Sequence, residues 1–255
     1  MSFIKRIVNG FLTCFAMYTC IPMPFCSWED DNLRYMFCFF PLTGVLIGLA
    51  GFLWFVLAGM LELGTVFKAA VYVCIPVMIS GGIHMDGFLD TADAFSSWRS
   101  RDERLRILKD PHLGAFAVIW AAVYFVLYLG AASEITSDIL PFFCMVFVLS
   151  RIMVIFGILS MPAANPEGTV AAFYQRAGKK TLLAVNCIWL LLLSVAIWFI
   201  RPVMLTLLAV EAVWFFVFKK MAVDNFGGIS GDLAGFFISV SELMLHIVIV
   251  LLMRG

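Results

Sequence analysis

Apolar residues gather into runs of roughly 18 or more, separated by short polar stretches, along nearly the whole chain. Runs of that length suit helices crossing a hydrocarbon layer about 30 Å thick, whereas a membrane barrel would show short alternating segments. The pattern predicts spans at Tyr35 to Leu61, Val66 to Ser80, Ala115 to Ala132, Ile139 to Met161, Leu182 to Ile200, Pro202 to Phe218 and Phe236 to Met253. The second is short for a crossing and is expected to continue through Gly81 and Gly82, with the aspartate motif beginning as its broken or extended end. An earlier apolar segment, Ile7 to Phe25, follows Lys5 and Arg6, contains Pro22 and Pro24, and lacks an A-x-A-like cleavage site. It reads as a retained helix. The expected fold is all-α: a single polytopic integral membrane helical bundle over residues 1–255. It has about six to seven transmembrane helices and an N-terminal interfacial or re-entrant helix.

Composition agrees: 63% of residues are hydrophobic and 13% charged, with a mean hydropathy of +1.02. Since 17 basic and 17 acidic residues cancel, the placement of charge matters more than its sum. Arg99, Arg101, Arg104, Arg106 and Lys109 crowd one loop, Arg176, Lys179 and Lys180 another, and Lys219 and Lys220 begin a third. These loops alternate correctly if all three face the cytoplasm. The N-terminal segment then has both ends on that side. For the arginines between Arg99 and Lys109, enforcing topology is the simplest role. Nothing in this distribution suggests nucleic acid as a partner. The seven cysteines form no C-x-x-C pair. Cys14, Cys38, Cys74, Cys144 and Cys187 lie in apolar runs, where a thiol behaves as a small hydrophobe.

The chemistry concentrates in Gly81-Gly82-Ile83-His84-Met85-Asp86-Gly87-Phe88-Leu89-Asp90-Thr91-Ala92-Asp93. On a helix turning about 100° per residue, Asp86, Asp90 and Asp93 share one face. Three carboxylates on a stripe repel one another unless a cation sits among them, and magnesium with substrate phosphates is the natural guest. Gly81, Gly82 and Gly87 permit unusual backbone angles or the close approach of a ligand. His84 is a candidate for phosphate contact, for proton transfer, or for a hydrogen bond in the core.

A short echo follows: Gly81-Gly82-Ile83-x-x-Asp86 recurs as Gly227-Gly228-Ile229-x-x-Asp232. In the second copy Gly228, Ser230 and Gly231 precede Asp232 at a predicted helix start, a plausible nest for anionic oxygens. Asp232 is a candidate metal ligand or a helix cap. Lys109 and Asp110 close the basic loop as candidates for phosphate contact and for metal or hydroxyl contact. Arg151 lies midway along an apolar run, and Glu242 and His246 stand four residues apart in the last span. Ionisable groups at such depth need a partner or a polar cavity. Glu242 and His246 pairing with each other is one possibility.

Taken together, G-G-I-H-M-D-G-F-L-D-T-A-D, K-D-P-H-L-G-A-F, Ser150-Arg151, G-G-I-S-G-D-L-A-G and Glu242 resemble the cobalamin-5′-phosphate synthase family, in order and across essentially the whole chain. One departure is the loop Met161 to Gly168, where the family pattern has an arginine near Asn165. Ala94 also stands where glycine is frequent. The resemblance implies adenosylcobinamide-GDP ribazoletransferase activity, in which adenosylcobinamide-GDP and α-ribazole, or its 5′-phosphate, give adenosylcobalamin or its 5′-phosphate and GMP. It implies magnesium (Mg2+) as cofactor and a bacterial inner-membrane location. On this reading Asp86, Asp90 and Asp93 hold magnesium against the pyrophosphate and Asp232 completes the shell. Lys109 and Arg151 contact phosphate, and Asp110, His84 or a metal carboxylate accepts the hydroxyl proton. Gly81, Gly82, Gly87, Arg151, Gly228, Gly231 and Glu242 then line the substrate site. Self-association and docking with other cobalamin-assembly enzymes remain open.

Two competing readings are weaker. Enzymes that transfer alcohols to CDP-activated lipids carry D-x-x-D-G-x-x-A-R, and no Ala-Arg pair follows Gly87 here. A cation-coupled transporter would place its polar groups near the bilayer midplane, whereas most acids here fall at predicted span ends.

Overall fold

The computed structural model describes residues 3–24 and 33–254. The expected end of the first segment at Phe25 lies outside the described residues. Among the described residues, eleven α-helices carry the fold: α1 (Phe3–Tyr18), α2 (Phe40–Met60), α3 (Thr65–Ser80), α4 (Ile83–Ser96), α5 (Arg101–Ile107), α6 (Ala115–Ser133), α7 (Leu140–Ser160), α8 (Thr169–Arg176), α9 (Lys179–Ile200), α10 (Thr206–Phe226) and α11 (Gly231–Arg254). Six are long and apolar enough to cross a membrane, or seven if α3 and α4 form one broken span. The protein is a multi-pass, all-helical membrane bundle. Its described residues contain no strand, only one isolated parallel bridge between Ala163 and Ile229.

α7 is the most deeply enclosed span, with 72% of its apolar window buried against 17–44% for the others. Glycines set how closely its neighbours approach. A Cβ on Gly44 would lie 2.3 Å from the carbonyl oxygen of Phe147, and one on Gly48 would lie 2.8 Å from that of Cys144. Lipid supplies no hydrophobic drive for helix pairing, so a four-residue glycine spacing that brings backbones together is how two such helices gain contact. Only a hydrogen fits at either position.

The sharpest feature is the break between α3 and α4, which meet at 96°. Gly81 and Gly82 adopt φ of 65° and 80°, a region that a side chain disfavours. Their N–H groups both cap the end of α3 at the Val77 carbonyl, and α4 starts afresh at Ile83.

α1 is not among the spans. Phe3 packs edge-on against Tyr35, just ahead of α2, and Gly10 in mid-helix packs on the same residue, while at the far end the Cys20 N–H donates to the Ile79 carbonyl (2.7 Å). Tyr18 stacks on His84 with ring centroids 6.1 Å apart. Both ends therefore meet one side of the bundle, and the helix lies along that side.

Two of the span limits that differ from the hydropathy pattern have a readable cause. α10 was expected to stop at Phe218, yet it runs to Phe226, past Lys219 and Lys220. Buried Ala222 and Phe226 hold the extra turns, and Gly227 at φ 79° ends them. α11 begins at Gly231, not Phe236. Its first turn is polar, so hydropathy missed it.

Candidate active site

α4 and α11 pack closely along the echoed motifs. A Cβ on Gly87 would stand 2.6 Å from the Asp232 carbonyl oxygen, and one on Gly235 would stand 2.9 Å from that of His84. The Ser239 hydroxyl donates to the same His84 carbonyl (3.3 Å). Absent side chains at 87 and 235 thus bring the aspartate stripe of α4 beside the start of α11. Asp90 is half-buried there, near enough to Asp86, Asp232 and Asp93 for their charges to act on it. Asp93 is also packed against Gly114 at the start of α6, where a Cβ would meet both carboxylate oxygens at 2.1 Å.

The segment ahead of α11 is pinned from a second side. Gly228 at φ 150° brings the chain against Pro162. Ile229 N–H then donates to the Pro162 carbonyl and Ala164 N–H to that of Ile229, each at 2.9 Å. This bridge sets the Asn165 loop beside Ser230, Gly231 and Asp232. The Leu233 N–H donates to the Ser230 hydroxyl (3.2 Å), which caps the first turn of α11.

Two clefts open on this arrangement and share Gly231 and Asp232. The first, about 210 Å³, is lined by His84 and Asp86 on one side and by Tyr18, Phe40 and Phe173 on the other. His84 is buried, edge-on to Phe40, and its Nε2 has no hydrogen-bond partner among the described residues. The second, about 220 Å³, holds Lys109, Asn165 and Ser230. One cleft is aromatic and acidic; the other offers a cation, an amide, a hydroxyl and a helix N-terminus. The second suits phosphate oxygens.

The basic loop docks beside this site. Ser100 and Glu103 form a reciprocal cap at the start of α5, and the Ser100 hydroxyl and N–H hold the Glu103 carboxyl below its ordinary value. Arg104 donates to the Asn225 side chain and stands over the Phe95 ring. Arg101 lies where a Cβ on Gly227 would be. These two arginines therefore pack α5 onto α10 and α4 as well as biasing topology. Asp110 is exposed and lines neither cleft. It accepts from the His112 N–H (3.0 Å) and pairs with that ring (2.8 Å), contacts that hold its carboxyl below the usual range.

Arg151 and Glu242 also lie apart from the two clefts. They are buried and joined to each other, with Ser150 hydroxyl 3.3 Å from the same Glu242 oxygen. His246 bonds instead to the Phe143 carbonyl (3.0 Å). Two isolated charges in lipid would be very costly, so they close on each other. The pairing of Glu242 with His246 suggested by their spacing is not formed. Gly81 and Gly82 likewise make the kink and line neither cleft. Sequence reasoning overlooked Tyr18 and Phe40, which look like ordinary apolar residues, and Glu211, buried against Ser241 (2.9 Å). Glu211 carried the same signal as Arg151, an ionisable group in an apolar run.

The family model for cobalamin-5-phosphate synthase matches residues 10–250. The chain belongs to that family. Among curated members, the adenosylcobinamide-GDP ribazoletransferase of Lachnoclostridium phytofermentans is 40% identical over 96% of this chain and 94% of its own length. Enzymes of the same name from Clostridium botulinum and Brevibacillus brevis are 35% and 28% identical, covering 94% and 95% of the chain and 96% and 98% of their own lengths. No solved structure matches the chain. For a cobalamin-5-phosphate synthase the two clefts around Asp232 are the candidate site.

The carboxylates whose charges act on Asp90 are those of Asp86, Asp232 and Asp93, hard oxygen donors that suit a divalent cation. Among the described residues, no three His, Cys, Asp or Glu side chains are gathered closely enough to hold an ion by themselves. Magnesium usually takes one or two protein carboxylates and completes its shell with water and substrate phosphate. The stripe fits an ion that arrives with the substrate.

Proposed function

We propose that this protein transfers the adenosylcobinamide-phosphate group of adenosylcobinamide-GDP to α-ribazole or α-ribazole 5′-phosphate, with magnesium, on the cytoplasmic face of a bacterial inner membrane. The observation that carries the reading is Asp232, shared between an acidic, aromatic cleft and a cleft suited to phosphate. In the reaction a ribose hydroxyl oxygen attacks the cobinamide-side phosphorus. The bond from that phosphorus to the bridging oxygen breaks, and GMP leaves with the electron pair.

The aromatic cleft takes the nucleoside, whose flat base packs on Tyr18 and Phe40. His84 Nε2, unpartnered and lining the same cleft as Asp86, accepts the hydroxyl proton. Lys109, Ser230 and the N-terminal amides of α11 hold the departing GMP phosphate. Asp90 and Asp232, with Asp86 beside them and with water and substrate phosphate completing the shell, would hold magnesium, which would supply charge neutralisation on the pyrophosphate. Asp93 orients the stripe against α6. Arg151 and Glu242 act at a distance by fixing α7 to α11. The basic Arg99–Lys109 loop on the same side as the site supports the cytoplasmic placement.

The test is GMP release by detergent-solubilised protein from adenosylcobinamide-GDP and α-ribazole, with magnesium or chelator. Release that needs both substrates and magnesium supports the reading. No release from folded protein rejects it.

A further inference from the structure

A larger groove lies away from the two clefts, on the outer surface of the bundle between α7, α9 and α10. Its cavity of about 630 Å³ is walled by apolar side chains, including Met153, Phe156 and Leu190. At one end stand Lys179, Lys180 and Lys219, and none of the lining residues is acidic. Those lysines lie on the same face as the carboxylates, since Lys219 precedes the end of α10, which leads into α11. Leu190 is ten residues into α9 from Lys180, about 15 Å along the helix. The groove therefore runs from a cationic mouth at the membrane surface into the hydrocarbon layer. Lys179 is held at that mouth by the Tyr174 ring, 3.6 Å from its centroid.

We propose that this groove binds one anionic glycerophospholipid of the surrounding bilayer. Its phosphate sits among Lys179, Lys180 and Lys219, and an acyl chain lies along Phe156 and Leu190. Charge complementarity selects the occupant: a zwitterionic headgroup would bring a cation against three lysines, whereas an anionic one answers them. A soluble phosphate would leave the apolar trough unfilled.

Native mass spectrometry of the protein taken from nanodiscs of mixed phosphatidylcholine and phosphatidylglycerol tests this. The wild type is expected to retain one phosphatidylglycerol. Replacing all three lysines (Lys179→Gln, Lys180→Gln and Lys219→Gln) should weaken retention on the order of a hundredfold, given the usual contribution of each surface lysine. Leu190→Trp, which fills the trough and leaves the charges, should weaken it too. Lys220→Gln, outside the groove, should not. Glycerophosphate should not displace the lipid; if it does, a headgroup site without a chain replaces the proposal. Equal retention of both lipids, unchanged retention in the triple variant, or an equal loss with Lys220→Gln would each overturn it.

Discussion

Replacing Gly87 with alanine puts a methyl group where the backbone of Asp232 already stands. Its Cβ would lie 2.6 Å from the carbonyl oxygen, 2.8 Å from Cα and 3.1 Å from the carbonyl carbon, where ordinary contact begins at 3.4 Å. These are backbone atoms inside a helix and cannot rotate aside, so α4 and α11 must part by roughly 0.8 Å. Overpacking of this kind costs about 1–3 kcal/mol. Moving groups that act on one substrate by about 1 Å costs about a hundredfold in rate. The variant is expected to insert and fold, to melt a few degrees lower, and to release GMP about a hundredfold more slowly. Its magnesium requirement should also rise, because the carboxylates of α4 and α11 are the groups driven apart. GMP release at saturating substrates, beside thermal unfolding in the same detergent, measures both effects. Gly130→Ala is the control, since a Cβ there meets nothing within 4 Å and alanine favours the helix. Turnover by folded Gly87→Ala equal to wild type would refute the account of this contact.

Other substitutions separate the roles assigned here. Asp90→Asn should abolish turnover while the protein stays folded in the membrane, read by GMP release and size-exclusion profile; wild-type turnover would remove Asp90 from the metal site. Arg151→Met should destabilise by about 3–5 kcal/mol, because it strands Glu242 in the bundle. The double variant with Glu242→Leu should recover much of that thermal stability. A stable Arg151→Met that has lost only turnover would instead return Arg151 to the phosphate. Asp110→Asn should retain turnover within severalfold, since its carboxyl serves His112; a loss as deep as that of Asp90→Asn would make Asp110 the base. His84→Ala should lower kcat far more than KM, and an unchanged kcat would exclude it as the proton acceptor.

The stripe of Asp86, Asp90 and Asp93 was legible because helical periodicity is local; Gly81 and Gly82 left a broken and an extended helix equally open, since glycine permits either. The echo of the Gly-Gly-Ile motif pointed to both sides of the site. Its meaning was not legible, since the contacts that join the two copies, at Gly87, Gly235 and Ser239, are between segments far apart in sequence. Arg151 and Glu242 each signalled a need for a partner, but 91 residues separate them and no local rule joins them. Asn165 stood in a loop that departs from the family pattern and so invited no role. It reaches the phosphate cleft through a two-bond bridge to Ile229. The length of α10 was hidden because its last turns are held by Ala222 and Phe226, beyond two lysines that end the apolar run.

The central claim is that α4 and α11 together hold one divalent cation against the substrate pyrophosphate. Manganese binding followed by electron paramagnetic resonance, with and without adenosylcobinamide-GDP, tests it most directly. The account predicts one tight manganese in the wild type that depends on the nucleotide substrate, and its loss in both Asp90→Asn and Asp232→Asn. Binding that survives either substitution, or that ignores the substrate, would contradict a site shared between the two helices.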